Sequence, residues 1–156
     1  MTPIRESIPA SEQYLRNLGR ATYNFAYLEW AIVWLAESLE PGFLNEAPTL
    51  TAGQIARRFT NAVERVPAAA PDQSRLVELA TEFSKIVEER NRLIHGNPFT
   101  ADNNEQRLLY SGKHGRKDWT LELIDQFSDA AATLSSAASR ILHGGRYEQW
   151  KLNEEG

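Results

Sequence analysis

An arginine, an amide and a histidine lie close together in the segment Arg90-Asn91-Arg92-Leu93-Ile94-His95. Successive residues of a helix are about 100° apart around its axis, so Asn91 and His95 share one flank. His95 is predicted at or near the last helical residue, where the carbonyl end of the helix favours an imidazolium. An imidazole in that position is suited to act as an acid or a base near neutral pH.

Arg90 interrupts the apolar face of the helix that carries this segment. That face is formed by Leu76, Leu79, Phe83, Ile86, Val87 and Ile94. An arginine in the middle of an apolar face breaks a local rule, and such breaks tend to mark functional or strained sites. A buried guanidinium must be paired or hydrated, because it does not lose its charge. Glu29, alone in the apolar centre of the first helix, is a ready partner, and a purely structural role for Arg90 stays open.

Four helices are predicted to position this segment, at about 11–40, 51–66, 72–95 and 122–143. Ser11 and Asp72 are the expected N-caps of the first and third helices. Pro41-Gly42 ends the first, and Gly96 offers a left-handed position after the third. Asn97-Pro98 then prevents the third helix from continuing.

The segment before the last helix predicts a small β-hairpin that follows a polar loop at 99–105. With His114-Gly115 as a two-residue turn, apolar side chains fall on one face in the pairs Tyr110–Trp119 and Leu108–Leu121. The sequence therefore predicts one mainly α domain over 1–156. Its expected architecture is an up-and-down four-helix bundle with a β-hairpin inserted before the last helix.

A basic cluster lies at the predicted hairpin tip and contains Lys113, Arg116 and Lys117. These three side chains are candidates for contact with an RNA backbone or an acidic partner. The alternative is that they form a solvated turn and bind nothing.

The first helix is apolar on two faces. One face has the three-four spacing of a packed seam, and the other is the aromatic stripe, which we define as Tyr23, Tyr27, Trp30 and Trp34. A helix that is apolar on two faces must bury both. We expect the aromatic stripe to form a homodimer, and the alternative is that helices of the same chain cover it.

Composition excludes several classes of protein. The 156 residues carry a net charge of −4, so any contact with RNA has to use a local patch instead of a general basic excess. No cysteine is present, which excludes disulfides and thiolate metal sites and points to a reducing cytoplasm. The histidines His95, His114 and His143 are scattered, so no metal cluster is expected. No signal peptide is visible, and the longest apolar run, 26–36, is too short to span a membrane.

The segment 90–95 resembles the R-x(4–6)-H motif of the HEPN superfamily, in the form with Asn directly after the Arg. The setting is similar too, with a long first helix, the motif at the end of a later helix, a Gly after the His and a closing helix. The resemblance implies a helical bundle that dimerises and brings two motifs together. Many HEPN proteins are metal-independent endoribonucleases, including toxins and phage-defence effectors, and others are inactive.

By this resemblance Arg90 and His95 match the catalytic pair, and Asn91 matches the residue that positions it. The implied reaction is attack by an RNA 2′-hydroxyl on the adjacent phosphate, which leaves a 2′,3′-cyclic phosphate without a metal or other cofactor. The expected partners are RNA, a second copy of the chain and, for a toxin, a cognate antitoxin protein. The alternative function is that of a non-catalytic dimeric adaptor or interaction protein.

Overall fold

Helices form most of residues 10–144, which are the residues that the computed structural model describes. In chain order the helices are α1 (Glu12–Leu39), α2 (Phe43–Glu46), α3 (Ala52–Glu64), α4 (Gln73–Ile94) and α5 (Leu121–His143). The strands are β1 (Asn97–Thr100), β2 (Gln106–Gly112) and β3 (Gly115–Trp119), and a 3₁₀ turn, Ala47–Thr49, follows α2. The two ends of the predicted domain, 1–9 and 145–156, lie outside the described residues.

Three of the long helices, α1, α3 and α5, begin at side chains that cap their first free N–H groups, whereas Asp72, the expected N-cap of α4, holds the N-cap position without a side-chain capping bond. Ser11 Oγ accepts a hydrogen bond from the backbone N–H of Tyr14 at 3.1 Å, and Thr120 does the same for Leu123 at 3.2 Å. Thr51 and Gln54 exchange both bonds of a capping box at the start of α3. The bounds of the four long helices agree with the predicted ones to within two residues at each end.

Gly96 does not adopt the left-handed conformation that the sequence suggested, since the positive-φ glycines among residues 10–144 are Gly42 and Gly115. Its lack of a side chain is needed for a different reason. A Cβ at Gly96 would lie 3.1 Å from the Cβ of Leu108 and 3.2 Å from the carbonyl oxygen of Leu93. The chain can therefore leave α4 and place β2 directly against the end of the helix.

The strands form a three-stranded antiparallel sheet in the order β1-β2-β3, so the predicted hairpin is only part of it. The first two residues of the predicted loop, 99 and 100, belong to β1, in which Asn97 pairs with Leu109 and Thr100 pairs with Gln106. Pro98 is tolerated in β1 because this strand lies at the edge of the sheet.

The register of the hairpin differs from the prediction by two residues. Leu108 lies opposite Trp119, and Gly112 lies opposite Gly115, so the two-residue turn is Lys113-His114. The tertiary structure sets this register, because the buried hydroxyl of Tyr14 binds both strands. It donates to the carbonyl oxygen of Trp119 at 2.7 Å and accepts from the N–H of Leu108 at 3.0 Å.

The helices do not alternate in direction as the predicted up-and-down bundle requires. Contacts between α1 and α5 advance together along both helices, from Asn17 with Asp125 at 2.8 Å to Asn24 with the Ser128 hydroxyl at 2.8 Å. These two helices therefore run in roughly the same direction, whereas the first and last helices of an up-and-down bundle are antiparallel. The prediction is wrong on this point because the long connection 40–51 lets the chain cross over before α3 begins.

The core lies where α1 packs between α4 and α5. The Phe25 ring of α1 stacks at 6.4 Å from both the Phe83 ring of α4 and the Phe127 ring of α5. Trp119, which is fully buried at the end of β3, meets the Phe127 ring edge-on at 6.2 Å. The sheet is thus joined to the same core as the helices. None of the helices within residues 10–144 combines the length and apolarity needed to cross a membrane.

Replacing Tyr14 with Phe tests the bridge between α1 and the sheet. The change removes both hydrogen bonds and leaves a buried N–H and a buried carbonyl unpaired, so we expect the free energy of unfolding to fall by about 1–3 kcal/mol. Chemical denaturation measures the loss. Tyr23→Phe is the matched control, since Tyr23 is 70% exposed and its replacement should change little. Equal stabilities for the two variants would contradict the bridge.

Candidate functional site

Arg90 lies in the last turns of α4 and turns its guanidinium towards α1. Its Cζ atom is 5.3 Å from the centre of the Phe25 ring, within the range of a cation–π contact. Its Nη1 donates to the side-chain oxygen of Asn91 at 3.1 Å. Its Nε is buried and has no hydrogen-bond partner, and no carboxylate within residues 10–144 lies within 4.0 Å of the guanidinium. Among residues 10–144, Arg90 therefore does not form the ion pair expected of a structural arginine.

Glu29 lies near Arg90 but does not bond to it. Both residues are partly buried. Burial raises the pKa of the Glu29 carboxyl, and the positive charge of Arg90 lowers that pKa in part. The two side chains are electrostatically coupled across a gap.

A cavity of about 140 Å³ occupies the space beside these two groups. It is lined by Thr22, Phe25, Ala26, Glu29, Arg90, Leu93, Ile94 and Phe127. Glu29 and Arg90 are the charged members of this lining, and Ile94, which is 50% exposed, lies at its edge. A space of this size holds several water molecules or a group as large as a phosphate.

His95 lies outside the cavity, although it is close to Arg90 in the sequence. It is the C-cap of α4, its backbone N–H bonds to the carbonyl of Asn91 at 3.0 Å, and its side chain is exposed. Because Arg90 and His95 are five residues apart, their side chains leave the helix in directions about 140° apart around its axis. The structure thus brings Arg90, Asn91 and Glu29 together and leaves the imidazole on the neighbouring flank, facing solvent.

Arg92, the second arginine of the motif, has a structural role. The Glu89 carboxylate pairs with Arg92 on the same helix and with Lys117 on β3. This three-residue network joins the sheet to the end of α4. It also occupies Arg92, so that of the two arginines of the motif Arg90 is the one without an ion pair among residues 10–144.

The basic cluster at the hairpin tip is only partly available to a ligand. Lys113 and Arg116 are exposed and form no ion pair with any of residues 10–144. Lys117 is bound to Glu89, and its Nζ lies 4.4 Å from the centre of the Trp119 ring. Lys113 and Arg116 are therefore the members of the cluster that an anion can reach.

Phe25 is a residue of the site that the sequence reasoning did not single out. It is one apolar position of the three-four spacing of α1, and nothing in that spacing separates a ring under a guanidinium from a ring in the core. The position of Arg90 on an apolar face was the one available signal, since that face had to meet apolar residues of another helix.

Comparison of the chain with protein-family models, with curated proteins and with solved structures gave no match. Within residues 10–144 no group of three or more histidine, aspartate or glutamate side chains is placed to hold a metal ion.

Replacing Arg90 with Met tests whether this arginine stabilises the fold. Methionine keeps the apolar length of the side chain and removes a buried nitrogen that has no partner, so we expect the free energy of unfolding to stay unchanged or to rise by up to about 1 kcal/mol. The matched control is Arg107→Met. Arg107 is also partly buried with an unpaired Nε, but it bonds Asp118 at 2.7 Å and Glu105 at 3.0 Å. That control should lose about 2 kcal/mol in chemical denaturation. A comparable loss for Arg90→Met would assign Arg90 to the structure instead.

Replacing Glu29 with Gln tests the coupling across the cavity. Because the folded-state pKa of Glu29 is raised, the protonated carboxyl favours the folded state. This contribution to the free energy of unfolding is full below the unfolded-state pKa and is lost as the pH rises through the folded-state pKa. Glutamine resembles the protonated form, so the stability advantage of Glu29→Gln over wild type should grow between about pH 4 and pH 7. The advantage should be larger in an Arg90→Met background, which lacks the charge that lowers the pKa. An advantage that does not vary with pH would contradict the coupling.

Proposed function

We propose that this protein is a metal-independent endoribonuclease of the HEPN type, which cleaves RNA by attack of a 2′-hydroxyl and leaves a 2′,3′-cyclic phosphate. One observation carries the proposal. Arg90 holds a partly buried positive charge beside a cavity, bonded to Asn91 and without a carboxylate within 4.0 Å among residues 10–144. This segment is also the one that resembles the HEPN motif.

A phosphate is the ligand that best completes the environment of Arg90. Nη2 of Arg90, unlike Nε, is not buried and forms no hydrogen bond with residues 10–144, so a phosphate oxygen would accept a hydrogen bond from it. Guanidinium groups bind phosphate oxygens through charge-assisted hydrogen bonds of matching planar geometry. The same contacts would stabilise the additional negative charge that develops on phosphorus during the reaction.

His95 would transfer the proton in this mechanism. As the base, its imidazole would take the proton of the 2′-hydroxyl while the oxygen attacks phosphorus and the bond to the 5′-oxygen breaks. The departing 5′-oxygen then takes up a proton, from the imidazolium or from water. The imidazole is exposed but lies outside the Arg90 cavity, about 140° around α4 from Arg90, so this step requires the bound strand to extend from the cavity to the helix end.

The proposal includes a HEPN-like arrangement of the four long helices and a homodimer, with RNA as the substrate. The absence of cysteine supports action in the cytoplasm. A toxin or phage-defence role, with a cognate antitoxin protein as partner, follows from the resemblance alone. The parallel directions of α1 and α5 distinguish this chain from an up-and-down bundle, and the motif with its surroundings supports the assignment more than the topology does.

A second candidate function is that of a dimeric adaptor without catalytic activity. The exposed aromatic stripe favours it, because such a surface serves binding and is not needed for chemistry. The net charge of −4 also fits a protein whose main partner is another protein.

RNA cleavage distinguishes the two functions. Purified protein is incubated with single-stranded RNA in excess chelator, and the products are analysed for a 2′,3′-cyclic phosphate end. We expect cleavage by wild type, with a loss of roughly 10²-fold or more in His95→Ala and in Arg90→Met. His143→Ala is the matched control, since His143 is an exposed histidine at the end of α5, and it should retain activity.

The outcome for His95→Ala decides the mechanism. Cleavage that persists in a folded His95→Ala variant would remove His95 from the reaction. Intact RNA with wild-type protein would overturn the nuclease proposal and leave the adaptor.

A further inference from the structure

The aromatic stripe remains uncovered by the rest of the described chain. Its members Tyr23, Tyr27, Trp30 and Trp34 are 70%, 57%, 53% and 41% exposed. Single exposed apolar side chains are ordinary, but four large rings on adjacent turns of one helix form a continuous surface of the kind that meets a partner. None of the helices within residues 10–144 covers this face of α1, so the partner has to come from elsewhere.

The arrangement of the rings favours a protein partner over RNA. Trp30 and Trp34 are packed against each other edge-to-face, with ring centres 5.9 Å apart and planes at 83°. Surfaces that bind single-stranded RNA instead present free ring faces along a positively charged track. The charges at the two ends of this stripe have opposite signs, so it provides no such track.

The stripe has arginines at one end and a glutamate at the other, so a second copy of the same helix can offer opposite charges to both ends. Arg16 and Arg20 lie at the N-terminal end of the stripe and are exposed, and neither forms an ion pair with another of residues 10–144. Glu37 lies at the C-terminal end. Its carboxylate accepts the N–H groups of Gly42 and Leu44, which lowers its pKa and keeps it charged. Arg16, Arg20 and Glu37 lie with the stripe on an arc of about 100° of the helix. The exposed Glu12, one turn before Arg16, lies on the same arc, so the N-terminal end of the stripe keeps an excess of positive charge.

The helix alone does not account for this order. Glu37, in the last turn of α1, is opposed by the helix dipole, whereas Arg16 and Arg20 lie beyond the first turn and gain nothing from it. An antiparallel copy of α1 would place the Arg16–Arg20 end of one chain beside Glu37 of the other, at both ends of the contact at once. A parallel copy would place like charges together.

We propose that the aromatic stripe is the interface of a twofold-symmetric homodimer in which α1 of one chain packs antiparallel against α1 of the other. In the register that centres the contact between residues 28 and 29, Tyr23 faces Trp34 of the second copy and Tyr27 faces its Trp30. Such an interface is isologous, because the same surface is used by both chains.

The proposed dimer interface lies next to the Arg90 cavity, but the dimer proposal does not depend on the nuclease proposal. Ala26, which is exposed, lies between the stripe and the cavity and belongs to the lining of that cavity. The second copy therefore borders the entrance to the Arg90 cavity. Association and RNA cleavage are separate measurements, so either proposal can fail while the other stands.

The molar mass in solution provides the first test. Light scattering coupled to size-exclusion chromatography should give twice the chain mass of 17.6 kDa for wild type at micromolar concentration. Tyr27→Glu and Trp30→Glu should each be monomeric under the same conditions, because each places a charge in the centre of the interface. Val77→Glu is the matched control, since Val77 is 42% exposed on α4, and this variant should remain a dimer.

The role of the charges is tested by the double variant Arg16→Glu/Arg20→Glu. This change places like charges beside Glu37 and should raise the dissociation constant of the dimer by about tenfold or more at low salt, with a smaller effect at high salt. Glu37 itself is left unchanged, because its carboxylate also holds the start of α2. An unchanged dissociation constant would overturn the proposed charge pairing.

The orientation is tested by disulfide trapping, for which the absence of cysteine from the sequence gives a clean background. In the antiparallel register the two copies of residue 23 are about 16 Å apart, too far for a disulfide. Tyr23→Cys and Trp34→Cys should therefore cross-link when mixed and not when oxidised separately. Cross-linking of each variant with itself would indicate a parallel pair.

A monomeric wild type overturns the proposal, as does a dimer that survives both Tyr27→Glu and Trp30→Glu. If the wild type is monomeric and Tyr27→Glu loses affinity for single-stranded RNA in a fluorescence anisotropy titration, the stripe is a nucleic-acid surface instead.

Discussion

The ring of Phe25 connects the core of this protein to its candidate site. It stacks against Phe83 and Phe127, which join α1 to α4 and α5, and it also lies beneath the Arg90 guanidinium. The packing that stabilises the three helices is therefore the same packing that positions the arginine. A shift of α1 relative to α4 would move the floor of the cavity and the carboxyl of Glu29 together, so the geometry of the site depends on the rigidity of the core.

Two arginines in one turn of α4 show how local partners decide what a side chain does. Arg92 shares the carboxylate of Glu89 with Lys117, and this network attaches the sheet to the helix end. Arg90 bonds only the neutral amide of Asn91 among residues 10–144, and it keeps a buried donor without an acceptor. A partly buried charge without a counter-ion lowers stability, and a binding partner of opposite charge relieves that cost. This difference makes Arg90 the residue at which a ligand has most to contribute.

The sequence predicted those parts of the fold that local chemistry determines. Ser11 caps α1 as expected, and the ends of the other long helices follow from short-range signals. The hairpin register depends on Tyr14, which is 94 residues from Leu108 in the sequence, so turn chemistry alone could not give it. The crossover that makes α1 and α5 parallel is likewise a property of tertiary packing. Periodicity shows which face of a helix is buried but not the direction of the helix that buries it.

For the candidate site, the sequence predicted which arginine is unusual but not how its neighbours are arranged. The position of Arg90 on an apolar face identified it, and its bond with Asn91 agrees with a positioning role for that amide. Glu29 was expected as a partner of Arg90, but the sequence could not show that the two side chains line one cavity without forming an ion pair. That distinction depends on distances of a few ångströms between two helices. The proposed function depends on the same distances. A closed ion pair would leave no room for a phosphate, whereas here the charge of Arg90 lies beside an open space.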